Sequence, residues 1–382
     1  MHIPCVSRYA EPMNSVIVFA DNYLDDVQVR VSCGTSRKYH VKHLSPAYFA
    51  LVMATGIISI AAWDFELFTV ATAMFVFNLV AFAILACLTV LRALRYPRLF
   101  LDDMIDHRVG PGFFTAVAGT CVVGIQCLRM ADSLAAAAAF LAVGTVLWIG
   151  LTYTIFTVLT VKRDKPTLEK GLTGGWLIAV VATQSIAVLA ALIAAEWPQP
   201  LRLELNFFAL SMWLWGGMLY IWIISLIFYR YTFFAFSPSD LAPPYWINMG
   251  AMAISTLAGA RLVQNTPDAP FLASLLPFLK GFTVFYWATG TWWIPMLLLL
   301  GVWRHLIRRF PLRYDPLYWG AVFPLGMYTV ATKQMAEALD LPFLAPLPPT
   351  VFFVALVAWS LACAGLIKEL LRKSRRRSAT TS

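Results

Sequence analysis

Long apolar blocks separated by short polar ones dominate the chain. Ten blocks stand out, at about 46–63, 67–91, 110–129, 133–161, 172–196, 204–229, 245–263, 274–302, 316–337 and 346–371. Each approaches or exceeds the roughly 17–25 residues with which a helix spans a bilayer. The pattern therefore predicts an all-α integral membrane protein with ten transmembrane helices in one domain, residues 44–371. Residues 1–43 are polar and irregular and read as a disordered cytoplasmic tail, and residues 372–382 read as a basic cytoplasmic tail.

The odd-numbered blocks repeat one another. They align on Pro46, Pro111, Gly174, Pro243 and Pro316. Two positions on stand Tyr48, Phe113, Trp176, Tyr245 and Tyr318, and one further Phe49, Phe114, Leu177, Trp246 and Trp319. At mid-block come Ala54, Gly119, Ala182, Ala251 and Pro324, then Thr55, Thr120, Thr183, Met252 and Leu325, with Gly56, Gly124, Gly250, Gly259 and Gly326 close by. A proline at a helix start loses no hydrogen bond. Aromatic rings anchor at the membrane interface, and small residues permit close backbone approach or leave open space. The even blocks lack this signature and are rich in bulky aliphatics such as Leu297–Leu300. The expected architecture is five helical hairpins in a quasi-five-fold arrangement, odd helices forming an inner pore ring and even helices an outer one.

The ninth block departs from the others where it matters most. Pro324 and Gly326 sit near its centre, beside Phe323. A proline inside a helix removes a donor and clashes one turn back, at about 3 kcal/mol, so a kink at Pro324 and Gly326 is expected. At the depth of Phe323 the other odd blocks place Met53, Ala118, Val181 and Gly250. One large ring among small or slender side chains reads as a plug, since apolar constrictions close pores by dewetting as well as by contact. Candidate wall residues are Met53, Thr55, Gly56, Ala118, Gly119, Thr120, Val181, Thr183 and Gly250. Lys333, Arg261 and Lys280, near the outer ends of their blocks, are weaker candidates for attracting anions to the mouth.

Composition sharpens this. The 382 residues are 60% hydrophobic and 13% charged, against about 45–50% and about 25% in soluble domains. The net charge of +9 is explained by orientation rather than by nucleic acid. Of the 29 lysines and arginines, all but Arg129, Arg202, Arg261, Lys280 and Lys333 fall in the two tails, counting Lys368 at the end of the tenth block with the second, and in the connections that follow even blocks. That bias puts both termini in the cytoplasm. None of the five histidines lies in a block, which excludes a His-ligated haem carrier. The six cysteines form no CxxC pair and read as small core residues. No central third of an odd block holds an ionisable residue. A nearly neutral wall suits weak, multi-site passage of anions and speaks against proton coupling, which normally needs an intramembrane carboxylate or histidine. Clustered groups for intramembrane catalysis are likewise missing from the blocks, and no metal or cofactor is expected.

Pro46–Ser59 and Tyr318–Glu337 resemble the tellurite-resistance/dicarboxylate transporter family, which includes fungal malate permeases and sulfite pumps and the plant guard-cell slow anion channels. The resemblance spans roughly residues 44–371. Its most specific part is aromatic-Trp-x-x-x-Phe-Pro, here Tyr318, Trp319, Phe323 and Pro324, continued by Ala331-Thr332-Lys333. It implies five hairpins around a central pore, commonly as a homotrimer in the cell (inner) membrane among lipid. It also implies small inorganic or organic anions as partners and a pore-gating phenylalanine at Phe323. The expected function is an anion channel or transporter. The alternative is a proton-coupled carrier of C4-dicarboxylates such as malate, or of sulfite.

Overall fold

The computed structural model describes residues 41–311 and 314–381, and the regular structure among them is entirely helical. Ten long helices carry the fold: α1 (Ala50–Asp64), α2 (Phe68–Arg95), α3 (Phe114–Met130), α4 (Leu134–Val161), α5 (Ile178–Glu196), α6 (Leu201–Phe233), α7 (Ile247–Gln264), α8 (Leu276–Val302), α9 (Trp319–Leu339) and α10 (Leu347–Thr381). The expected tail 1–43 lies outside the described residues apart from a 3-10 turn at Val41–His43. At the other end α10 continues through the basic stretch to Thr381. No proline or glycine interrupts it there, and Leu, Lys, Glu and Arg are good helix formers.

Eight of the ten helices are long and apolar enough to cross a membrane, against the ten spans expected from block length. The two that fall short are α7, with Asn248, Arg261 and Gln264, and α9, with Lys333, Gln334 and Glu337. Both are buried along most of their length, so their side chains meet protein rather than lipid and need not be greasy.

Each odd-numbered helix opens with a turn of 3-10 helix: Pro46–Phe49, Gly110–Phe113, Gly174–Leu177, Pro243–Trp246 and Pro316–Tyr318. The repeated proline or glycine falls in that turn, where a missing N–H is harmless. Ser45 and Asp315 cap two of the turns, accepting from the backbone of Ala47 at 3.3 Å and Leu317 at 2.8 Å. At the opposite ends Glu66, Asp132 and Asp340 adopt left-handed conformations (φ 62, 47 and 55°) just after α1, α3 and α9, so three hairpins turn on an acidic residue in the same way.

The odd helices are buried almost throughout, whereas the even ones expose large apolar side chains such as Ile84, Val146, Trp222, Phe285, Leu299 and Phe353. Every odd helix packs on the even helix that follows it. The odd helices also pack on one another: α1 on α3, α3 on α5, α5 on α7, α7 on α9, and α9 back on α1. Hydrogen bonds run from each even helix to the next odd one. Asn78 of α2 donates to Gln126 of α3 at 2.7 Å. Trp148 of α4 donates to Thr183 of α5 at 2.8 Å, and Trp213 of α6 to the Ser255 carbonyl of α7 at 2.8 Å. Trp287 of α8 donates to Thr332 of α9 at 3.0 Å, and Trp359 of α10 to Thr55 of α1 at 3.1 Å.

Candidate functional site

Two cavities lie between the odd helices, and all five helices contribute to each. The first, near the helix starts, is lined by Ala50, Met53, Thr115, Ile178, Val181, Ile247, Gly320 and Phe323, among others. The second, near the helix ends, is lined by Ile57, Val122, Ile125, Arg129, Ser185, Val188, Ile254, Arg261, Met327 and Val330, among others. Within each wall, successive residues of one helix stand three or four apart, as one face of a helix does. On α9 the stripe is Gly320, Phe323, Met327 and Val330; on α5 it is Ile178, Val181, Ser185, Val188 and Leu192. Phe323 is the last α9 residue on the first wall and Met327, one turn on, the first on the second. Met53 and Val181 hold the same border position on α1 and α5. On α3 the stripe passes from Thr115 to Val122, and Ala118 falls between them by spacing.

Phe323 is 1% exposed, so its ring is enclosed by protein rather than set against lipid. Pro324, next to it, packs on Gly250: a Cβ at Gly250 would stand 2.7 Å from Pro324 Cγ. That proximity brings α7 and α9 together at the border between the cavities. α9 runs unbroken through Pro324 from Trp319 to Leu339.

The other nominated residues divide. Gly56 faces Val122 and the Asn78–Gln126 pair, Gly119 faces Val52, and Gly326 faces Ile57 and Ile58. These glycines serve close packing between helices and do not stand on either wall. The three threonine hydroxyls are engaged within the helical wall. Thr55 accepts from Trp359, Thr183 accepts from Trp148 and donates to the Ala179 carbonyl at 2.9 Å, and Thr120 donates to the Ala116 carbonyl at 2.7 Å. Lys333 is paired with Glu337 at 2.9 Å, and neither it nor Lys280 stands on a cavity wall. Arg261 does.

Arg129 and Ser185, which reasoning from the sequence did not nominate, also stand on the second wall. Arg129 forms an ion pair with Asp64 at 2.7 Å. The signal was present in the repeat. Eighteen positions after each opening proline or glycine stand Asp64, Arg129, Leu192, Arg261 and Gln334, so the charged residues share one depth at the far end of the path. Gln264 accepts from Arg261 at 2.9 Å and donates to Gln334 at 3.3 Å, which ties α7 to α9 there.

An apolar exterior on the even helices, with small-residue helices inside, defines a multi-pass, all-helical membrane protein. The chain belongs to the voltage-dependent anion channel family, whose model matches residues 43–367. It is 38% identical over 152 residues to an uncharacterized membrane protein of Mycobacterium tuberculosis, covering 40% of this chain and 77% of that one. It is 26% identical over 309 residues to an uncharacterized transporter of Methanocaldococcus jannaschii, covering 77% and 85%. A sulfite efflux pump of Arthroderma benhamiae is 22% identical over 363 residues, covering 87% and 93%.

Proposed function

We propose that the chain is an anion channel or transporter of the cell membrane, in which ten helices stand in a quasi-five-fold arrangement and small anions pass between the odd ones, with Phe323 as the gate. The observation that supports this reading is that both cavities draw their walls from the same five helices, with Phe323, Met53 and Val181 the last residues of α9, α1 and α5 on the first wall. At those positions the side chains are uncharged. An apolar constriction there excludes water and ions until the ring moves, and weak contacts on either side let an anion leave as readily as it arrives. Pro324 and Gly326 supply the local flexibility for that movement. Both termini lie in the cytoplasm on the placement of Lys and Arg, and the molecule assembles as a homotrimer through its outer helices.

The test is Phe323→Ala in proteoliposomes or bilayer recordings, over a panel of nitrate, chloride, sulfite, malate and tellurite. Conductance is expected to rise, by roughly tenfold or more if the ring's barrier is about 1.4 kcal/mol or higher. Conductance equal to that of the unsubstituted chain sinks the gate. A coupled carrier of sulfite or C4-dicarboxylates is the second reading, favoured by the sulfite efflux pump aligned along 87% of the chain. It predicts uptake that grows with an imposed pH gradient, and uptake indifferent to the gradient removes it.

A further inference from the structure

Positive charge is unevenly spread over the face of the molecule at which the odd helices start. Residues 92–109, after α2, set four lysines and arginines against three acids. Residues 162–171, after α4, set four against two, and residues 230–242, around the end of α6, one against one. Residues 303–318, between α8 and α9, set four against one, and residues 365–382, at the end of α10, six against one. These last two segments lie side by side: Tyr314 packs on Gly365 of α10, where a Cβ would stand 2.5 Å from the ring. The acid of each is already engaged. Asp315 accepts from the backbone N–H of Leu317 at 2.8 Å, and Glu369 pairs with Arg372 at 3.1 Å. Among the described residues no ion pair involves Arg308, Arg309 or Lys368.

The same sector is shaped for a membrane surface. Leu299, Val302 and Leu306 stand three or four apart and are 70, 45 and 71% exposed, so the lipid-facing stripe of α8 runs on through the π-helical turn Trp303–Ile307. Such turns are rare and frequent at functional sites. Ile307 is 67% exposed beside them. Arg308 and Arg309, both exposed, follow at once, with the Arg308 guanidinium 5.7 Å from the Trp303 ring. Tryptophan settles at headgroup level, so the apolar stripe ends where acyl chains give way to phosphates. α10 has 35 residues, about 50 Å at about 1.5 Å each, against a hydrocarbon core of about 30 Å. Its last turns, with Lys373, Arg375, Arg376 and Arg377, therefore continue past the core.

We propose that this rim binds the headgroups of anionic phospholipids in the leaflet at the odd-helix starts. Arg308 and Arg309 meet the phosphate, Leu306 and Ile307 lie along the upper acyl chain, and the end of α10 attracts further anionic headgroups. A guanidinium fork holds two phosphate oxygens at once, and a basic cluster next to a membrane helix draws anionic lipid. A soluble polyanion would meet the arginines but leave Leu306 and Ile307 uncovered, whereas a lipid meets both. The assignment needs no premise about what passes through the chain.

The experiment is native mass spectrometry of the detergent-solubilised full chain, titrated with phosphatidylglycerol and with phosphatidylcholine of the same acyl chains. Phosphatidylglycerol is expected to bind more tightly by about fivefold or more. Arg308→Gln with Arg309→Gln is expected to cut that preference by about threefold or more, and deletion of residues 373–382 to cut it further. Arg163→Gln with Lys165→Gln removes two exposed charges from the connection after α4 and is expected to leave the preference within about 1.5-fold. Equal affinity for the two lipids overturns the proposal, as does a preference untouched by Arg308→Gln with Arg309→Gln. An equal fall from the pair after α4 also overturns it, since net charge alone would then explain the attraction. Displacement of the lipid by excess inorganic phosphate would identify a site for free phosphate and overturn the lipid assignment. If the Arg308 and Arg309 variant does not fold, the deletion decides, and a preference it leaves unchanged overturns the proposal.

Discussion

Gly250 and Pro324 bring α7 and α9 into close approach beside Phe323. Any side chain at Gly250 meets the proline ring, and overpacking a filled core costs about 1–3 kcal/mol. Gly250→Val is therefore expected to lower the melting temperature in detergent and to shift Phe323 with Pro324, changing conductance as well as stability; a variant as stable as the parent would show that α9 has slack at this point. A second residue-scale prediction concerns His107, in the connection between α2 and α3. Burial, then the positive charge of Lys162, holds its imidazole below the ordinary value of 6.5. The unfolded chain then binds more protons than the folded one below about pH 6.5, so stability falls as pH drops. His107→Gln removes that loss, and melting curves at pH 7.5 and 5.5 are expected to converge relative to the parent. Single residues also show where sequence reasoning reached its limit. Phe323, Met53 and Val181 share one position in the repeat and line one cavity. The direction of Thr55, Thr120 and Thr183 was not readable, because depth says nothing about rotation round the helix. They stand two positions past the border, about 200° around the axis at 100° per residue, and the hydroxyls of Thr55 and Thr183 accordingly meet tryptophans of the outer helices.

Between elements, the repeated motif is the polar tie from each even helix to the next odd one. Four use a tryptophan and one uses Asn78. Polar ties between membrane helices average about 0.6 kcal/mol in double-mutant cycles. The Trp148→Phe, Thr183→Val cycle is expected to give coupling of about that size, measured by reversible unfolding in detergent, and a coupling of zero would reduce the tie to incidental contact. These ties could not be foreseen, since they join residues far apart in the sequence and depend on which hairpins become neighbours. Helix positions fared better, because block length and the opening prolines are local signals. The modest hydropathy of α7 and α9 misleads in the other direction: helices shielded from lipid carry Asn248 and Gln334 at no cost to insertion that packing does not offset.

For the whole molecule, the distribution of Lys and Arg makes a statement about orientation that hydropathy cannot. Cysteines introduced one at a time at Lys165 and at Asp340, in a background lacking native cysteines, are expected to react with an impermeant maleimide from opposite faces of the membrane: the first only in inverted vesicles, the second only in intact cells. Reaction of both from the same side refutes the hairpin topology.

The clasp between the two ends of the chain carries a consequence for biosynthesis. α1 is completed early, yet both of the helices that seal its flank on that side, α9 and α10, are the last to be made. Until Trp359 reaches Thr55, that flank of α1 has to wait among lipid or insertion machinery. Covering of that flank therefore waits for the fifth hairpin. Without the fifth hairpin the first eight helices leave α1 uncovered along the face that α9 and α10 occupy.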